Sequence, residues 1–254
     1  MTMRINAITA FVATSAVLLA VPAAAVDGEI LIDQAKVNAG GITPGDAPGF
    51  PATLGKSGRY KLTGNLKVPA GKDGIEVTHH DVAVDLNGFT ISSNPPGEAY
   101  YGVRASAVDG LRVFNGTIAG FQPYGIYQGG GGGLVEDMRI VSNGTGIDIK
   151  TGARIRNSTI ANNTSSGIRC GGCLIEGNVV ADNANGGIFD SSAGGGLVLG
   201  NVIAFNGAYG LVAPSAPYPK TGYGNNILFA NNGGGLQVLD AVQMHPNICE
   251  PACP

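Results

Sequence analysis

The stretch GIDIKTGARIRNSTIANNTSSGIRCGGCLIEGNVVADNANGGIFD, from Gly146 to Asp190, decides the fold. It contains the same dipeptide three times, at Gly146-Ile147, Gly167-Ile168 and Gly187-Ile188. Working outward, a Gly-aliphatic step recurs upstream at Gly125-Ile126, Gly102-Val103 and Gly74-Ile75, and downstream at Gly210-Leu211 and Gly235-Leu236. The spacings from first to last are 28, 23, 21, 21, 20, 23 and 25 residues. Between the steps runs a second element, N-x-(I/V/L)-x-x-N, seen in NVVADN (Asn178 to Asn183), NVIAFN (Asn201 to Asn206) and NILFAN (Asn226 to Asn231), with STIANN (Ser158 to Asn163) a near match. Weaker copies are MRIVSN from Met138, GTIAGF from Gly116 and GFTISS from Gly88. Two elements in phase at one period define a repeat architecture.

The spacing of apolar residues within a repeat selects the kind of coil. Each repeat holds runs of three to five residues that alternate with period two, as at Ile147 and Ile149. Gly, Asn and Ser separate the runs, and these residues accept the positive φ of sharp corners. No stretch after the N-terminal segment carries a 3.6-residue apolar stripe over three turns, which disfavours helix-containing solenoids. The L-x-x-L-x-L frame of leucine-rich repeats is missing as well. The reading is all-β: a parallel solenoid of about eight coils, three short strands per coil, stacked at about 4.8 Å.

In that geometry the aliphatic residue of each step points inward. Ile75, Val103, Ile126, Ile147, Ile168, Ile188, Leu211 and Leu236 are expected to form one interior ladder. A second is expected from Ile91, Ile118, Ile140, Ile160, Val180, Ile203 and Leu228. Asn143, Asn163, Asn183, Asn206 and Asn231 recur at one turn, where amides can bond to one another and to the corner backbone.

Composition agrees. Gly numbers 42 and charged residues are 13%, values that disfavour long helices, while 44% hydrophobic residues exclude a disordered chain. Net charge is −3 with no basic run, so nothing would neutralise the phosphates of a nucleic acid. The N-terminus, MTMRINAITAFVATSAVLLAVPAAA, reads as a signal peptide over residues 1–25: Arg4, an apolar stretch from Ile8 to Val21, and small residues at Ala23 to Ala25. That stretch is shorter than the roughly 20 residues of a membrane span, so a secreted or periplasmic chain without a membrane span is expected.

The cysteines fit that address. Cys170, Cys173, Cys249 and Cys253 are even in number, and the local pairing closes the shortest loops. A redox role for Cys170-Gly-Gly-Cys173 would need a βαβ context, which the repeats do not offer. A zinc site from His245, Cys249 and Cys253 has three ligands in a segment broken by Pro246 and Pro251. No metal or cofactor is expected. Residues 26–70 read as an N-terminal cap, 71–240 as the solenoid and 241–254 as a Cys/Pro-rich tail. Gly129 to Gly133 and Pro214 to Gly222 read as loops extending from regular coils.

DLNGFTI (Asp85 to Ile91), followed by the in-phase Gly-aliphatic steps, resembles bacterial right-handed parallel β-helix repeat proteins of the pectin-lyase-like superfamily. TPGDAPGFPATLGKSGRYKLTGNL (Thr43 to Leu66) is similar to the N-terminal region of members of that group. The resemblance covers nearly all of the chain after the signal peptide and implies a right-handed coil. It extends to lyases, polygalacturonases, alginate epimerases, tailspikes and adhesins, whose catalytic sets can be sought directly. D-P-H-D is absent, the N-T-D, H-G and R-I-K sets are absent, and the acidic residues are scattered rather than clustered for Ca²⁺.

The resemblance also implies that a ligand would lie along the strand of the Gly-aliphatic step. The residue after the inward aliphatic faces out there. Read along the chain, this stripe is Glu76, Arg104, Tyr127, Asp148, Arg169, Phe189, Val212 and Gln237, with Lys150 two residues beyond Asp148. Arg104, Tyr127, Asp148, Lys150 and Arg169 are the candidate binding residues. The two arginines suit the carboxylates of an acidic polysaccharide and the tyrosine suits a sugar ring. Catalytic residues stay unassigned, and the chain is read as a carbohydrate binder before an enzyme; an enzyme here would be lyase- or epimerase-like. A structural or adhesive envelope solenoid is the alternative reading. His79-His80 point to opposite faces of a strand and cannot chelate one ion together.

Overall fold

The computed structural model describes residues 28–254 except 192–194, 216, 218, 252 and 254. The expected signal peptide lies outside the described residues. Strand Glu29–Ile32 and the short helix Gln34–Ala39 open the described chain. Asp33 caps that helix by accepting from the Lys36 N–H at 2.8 Å, and Val37 buries against the end of the solenoid.

Behind this lid the chain winds as a parallel β-solenoid. Among the described residues, nine strands from Ala52–Leu54 to Val238–Leu239 stack in one sheet, and the other two strand positions of each coil form a continuous 17-stranded sheet. Every pairing is parallel. The sheets begin within the segment read as a cap, since Ala52–Leu54 pairs with Ile75–Val77 and Gly58–Leu62 with Val82–Asp85. They also run into the tail, where Ile248–Glu250 pairs with Ile227–Phe229.

The interior ladders have the expected registers: Val103, Ile126, Ile147, Ile168, Ile188 and Leu211 stand coil on coil and are fully buried. Leu66 and Cys249 extend the second ladder at its two ends. The first ladder differs at its last rung. Leu211 pairs with Val238, not Leu236, and Leu236 is exposed. The chain takes a 3-10 turn at Asn232–Gly234, which delays the strand by two residues. Gln237, expected to face out, is therefore fully buried, and its Oε1 accepts from the Asn231 N–H at 3.2 Å and from Asn231 Nδ2 at 2.7 Å. A glutamine thus ends the asparagine ladder.

The corners divide their work between residue types. The glycines of the steps do not have positive φ; they are required by space. A Cβ on Gly146 would lie 2.6 Å from both the Gly167 carbonyl oxygen and Ile160 Cγ2. The positive-φ positions are filled by Ser142, Asn162, Asp182, Phe205 and Ala230 at one corner, with Asp137, Asn157 and Asn225 at another. The asparagine ladder forms as expected, and a second one accompanies it. Ser158, Asn178, Asn201 and Asn226 each donate a backbone N–H to the side-chain amide oxygen of the next coil, at 2.9–3.0 Å.

Two further expectations are corrected or resolved. Gly129 to Gly131 are not loop but the end of the long strand Phe121–Gly131, held by Asp109 Oδ1 accepting from the Gly131 N–H at 2.7 Å. Both cysteine pairs bond locally, Cys170 to Cys173 and Cys249 to Cys253. Cys170 sits in the interior, in register between Ile149 and Asp190.

Candidate functional site

The outer face of the nine-stranded sheet carries the expected stripe. Glu76, Arg104, Tyr127, Asp148, Arg169, Phe189 and Val212 stand in successive register, six steps spanning about 29 Å. Leu239 completes it in place of Gln237.

At the N-terminal end of the face Arg104 is committed to protein carboxylates. Its Nη2 donates to Glu76 Oε1 at 2.6 Å, and its Nε lies 2.9 Å from Asp73 Oδ2. Burial raises the Asp73 carboxyl above its ordinary range, and Arg104 pulls it back only in part. Arg104 therefore holds the face together rather than presenting a free cation.

Three tyrosines occupy the middle. The rings of Tyr101, Tyr124 and Tyr127 lie half-buried, with centroids 5.5–5.7 Å apart, and Tyr101 and Tyr124 stack at 19°. They offer a broad aromatic surface, and the Arg104 guanidinium lies 5.5 Å from the Tyr101 ring.

Asp148 and Arg169 border this surface. Arg169 Nε is 3.8 Å from Asp148 Oδ2, and the arginine is exposed over Phe189 with its guanidinium 5.7 Å from that ring. Burial drives the Asp148 carboxyl upward more strongly than Arg169 lowers it, leaving it above the ordinary range. The Tyr124 hydroxyl is raised by burial first and by the Asp148 charge second. Lys150 is exposed and forms no ion pair among the described residues.

Beyond Arg169 the face opens into a hollow of about 370 Å³ between Arg169, Phe189, Ser165, Asn185, Ala208 and Val212. Its wall comes from the turns before the Gly-aliphatic steps rather than from Gly129 to Gly133. A smaller hollow of about 200 Å³ lies beside Glu76 at the opposite end.

The structure thus places all five candidate residues on one face, but they play different parts. Lys150 and Arg169 are exposed, with Arg169 beside the hollow, Tyr127 and Asp148 are half-buried, and Arg104 is engaged with carboxylates. Sequence reasoning missed Tyr101, Tyr124 and Asp73. A signal was present at some steps, because Asp73, Tyr101 and Tyr124 each directly precede the glycine of one. His79 and His80 lie at a corner away from the tyrosines, His79 against Ser57 Oγ at 3.0 Å and His80 Nδ1 accepting from the Asp109 N–H at 3.0 Å.

No curated protein matches the chain. Among solved structures it is similar to the Dettilon tailspike protein, at 16% identity and a TM-score of 0.44, covering 73% of this chain and 55% of that one. It is also similar to the A-module of the Azotobacter vinelandii mannuronan C-5 epimerase AlgE4, at 15% identity and a TM-score of 0.48, covering 84% and 70%. The chain spans about half of the tailspike's length. Residues 101–247 match the family model described as the right handed beta helix region. Those residues contain seven of the eight Gly-aliphatic steps, both asparagine ladders and the tyrosine surface, and by this match over more than half its length the chain belongs to the right-handed β-helix family.

Proposed function

We propose that this chain is an exported carbohydrate-binding protein that holds a polysaccharide along the outer face of its nine-stranded sheet. The observation that carries the reading is the cluster of Tyr101, Tyr124 and Tyr127 with the adjacent hollow. Sugar rings present C–H faces that pack on aromatic rings, while their hydroxyls reach for hydrogen bonds at the rim. Arg169 and Lys150 are the cations open to a polymer's carboxylates, so binding of an acidic polysaccharide rests on them and not on Arg104. Export rests on the sequence of residues 1–25 and on the two disulfides. No helix of the described residues is long and apolar enough to cross a membrane.

The test is calorimetric titration against a panel of neutral glycans, polyuronates and bacterial exopolysaccharides. Saturable binding is expected, weakened at least about tenfold by Tyr127→Ala, a loss of about 1.4 kcal/mol. Arg169→Ala is expected to weaken acidic polymers selectively. Absence of binding across the panel removes the proposal.

A second reading is favoured by Asp148, a carboxyl of raised pKa beside an arginine and two tyrosines. Those groups are the parts of an acid–base site acting on a uronate. Ultraviolet detection of unsaturated products, on the same panel, separates an eliminating enzyme from a binder.

A further inference from the structure

The 17-stranded sheet changes character abruptly along its outer surface. One outward column reads Thr117, Arg139 and Thr159 over three coils, then Val179, Val202, Ile227 and Ile248 over the next four. The neighbouring corner column switches at nearly the same level, from Ser142, Asn162 and Asp182 to Phe205 and Ala230. Strands Val202–Ala204 and Ile227–Phe229 contain no charged residue. The N-terminal coils of the same sheet are instead laced by ion pairs, among them Arg112 and Arg156 on Glu136.

Phe205 is the strongest anomaly in this region. It adopts φ +56°, a left-handed conformation that earlier coils give to Ser, Asn or Asp, and it leaves 56% of its surface exposed. A bulky residue is strained there, and a ring left more than half exposed recovers only part of that strain by packing within its own chain. Its ring meets Phe229 edge-on at 5.0 Å, and beside Phe229 lies a hollow of about 400 Å³.

We infer that this face is a self-association surface on which two copies of the chain pair about a two-fold axis. One face carries both a projecting ring and a hollow, so each copy can supply Phe205 to the hollow of the other, as an isologous contact requires. A lipid surface fits less well, since no basic residue stands in the apolar run from Val179 to Ile248 and Arg139 lies two coils before it. Four coils of about 4.8 Å by five residues of about 3.3 Å frame about 300 Å² per copy. Doubled, that lies below the roughly 1,200 Å² of a permanent interface, so the pairing is weak and reversible. It leaves the tyrosine face free and does not depend on what that face binds.

The experiment is sedimentation equilibrium of the purified chain over a wide concentration range, with Phe205→Asn and Ile227→Thr, which restore residue types of the earlier coils. A concentration-dependent monomer–dimer equilibrium is expected, with the dimer Kd raised at least about tenfold by either variant. The thermal midpoint of Phe205→Asn is expected to stay level or rise, which separates loss of pairing from loss of fold. A wild-type chain that stays monomeric throughout overturns the inference, whether or not it floats with phosphatidylcholine vesicles. So does a dimer indifferent to both substitutions.

Discussion

Asn183 Oδ1 accepts two hydrogen bonds from Asn163 on the preceding coil, one from its backbone N–H at 3.2 Å and one from its Nδ2 at 2.8 Å. Asn183 in turn donates to Asn206, so each coil satisfies the polar groups of the one before it. Asn183→Ala would leave two buried donors without an acceptor, at about 1–3 kcal/mol each, and an overall loss of about 3 kcal/mol is expected in chemical denaturation. Asn185→Ala, on the exposed side of the same turn, is expected to stay within about 0.5 kcal/mol of wild type.

The glycine of the step gives a second prediction. A Cβ on Gly167 would meet Val180 Cγ1 at 2.7 Å and both Asn183 Nδ2 and the Gly187 carbonyl oxygen at 2.8 Å. The carbonyl belongs to the next strand's backbone and cannot turn aside. Gly167→Ala is therefore expected to cost about 3 kcal/mol, at the upper end of ordinary overpacking. A cost under about 0.5 kcal/mol would show that the corner has room after all.

The last rung of the first ladder supplies a third. Val238 is fully buried in register with Leu211, whereas Leu236 is 42% exposed. Val238→Ala is expected to destabilise by about 2 kcal/mol and Leu236→Ala by less than about 0.5 kcal/mol. The opposite order would restore the register expected from the Gly235-Leu236 dipeptide.

That rung shows where the sequence is legible and where it stops being so. Seven of the eight Gly-aliphatic steps announce an inward residue because the next coil leaves no room for a Cβ, its backbone carbonyl blocking six of the glycines and the Asn231 amide blocking Gly210. Gly235 has no further coil behind it, and the same dipeptide there belongs to a turn. Similarly, the N-x-(I/V/L)-x-x-N pattern contains both asparagine ladders, yet the recurrence at one turn points only to its second asparagine. The site was legible as a direction, since register alone puts Tyr127, Asp148 and Arg169 on one face. Its partners were not, because Arg104 finds Asp73 and Glu76 on the preceding coil, 31 and 28 residues back, and no local pattern encodes that contact.

Two carboxylates, half-buried Asp148 and buried Glu136, should give opposite responses to pH. Asp148 has a raised folded-state pKa, chiefly through burial, so its contribution favours folding below the ordinary value of 3.8 and is lost as pH rises through the raised value. Asp148→Asn is therefore expected to be at least as stable as wild type at neutral pH, with the difference closing on acidification. Glu136 is buried too, which alone would raise its carboxyl, but the hydrogen bonds from Arg156 and Arg112 outweigh burial and set it below the ordinary 4.5. Its contribution is present above 4.5 and is lost as pH falls through the lowered folded value. Glu136→Gln is thus expected to be less stable than wild type at neutral pH, with a gap that narrows in acid. Denaturation midpoints of the three proteins between about pH 3 and pH 7 check both signs at once. If Asp148→Asn loses stability at neutral pH, the Arg169 contact outweighs burial and the acid–base reading of Asp148 goes with it.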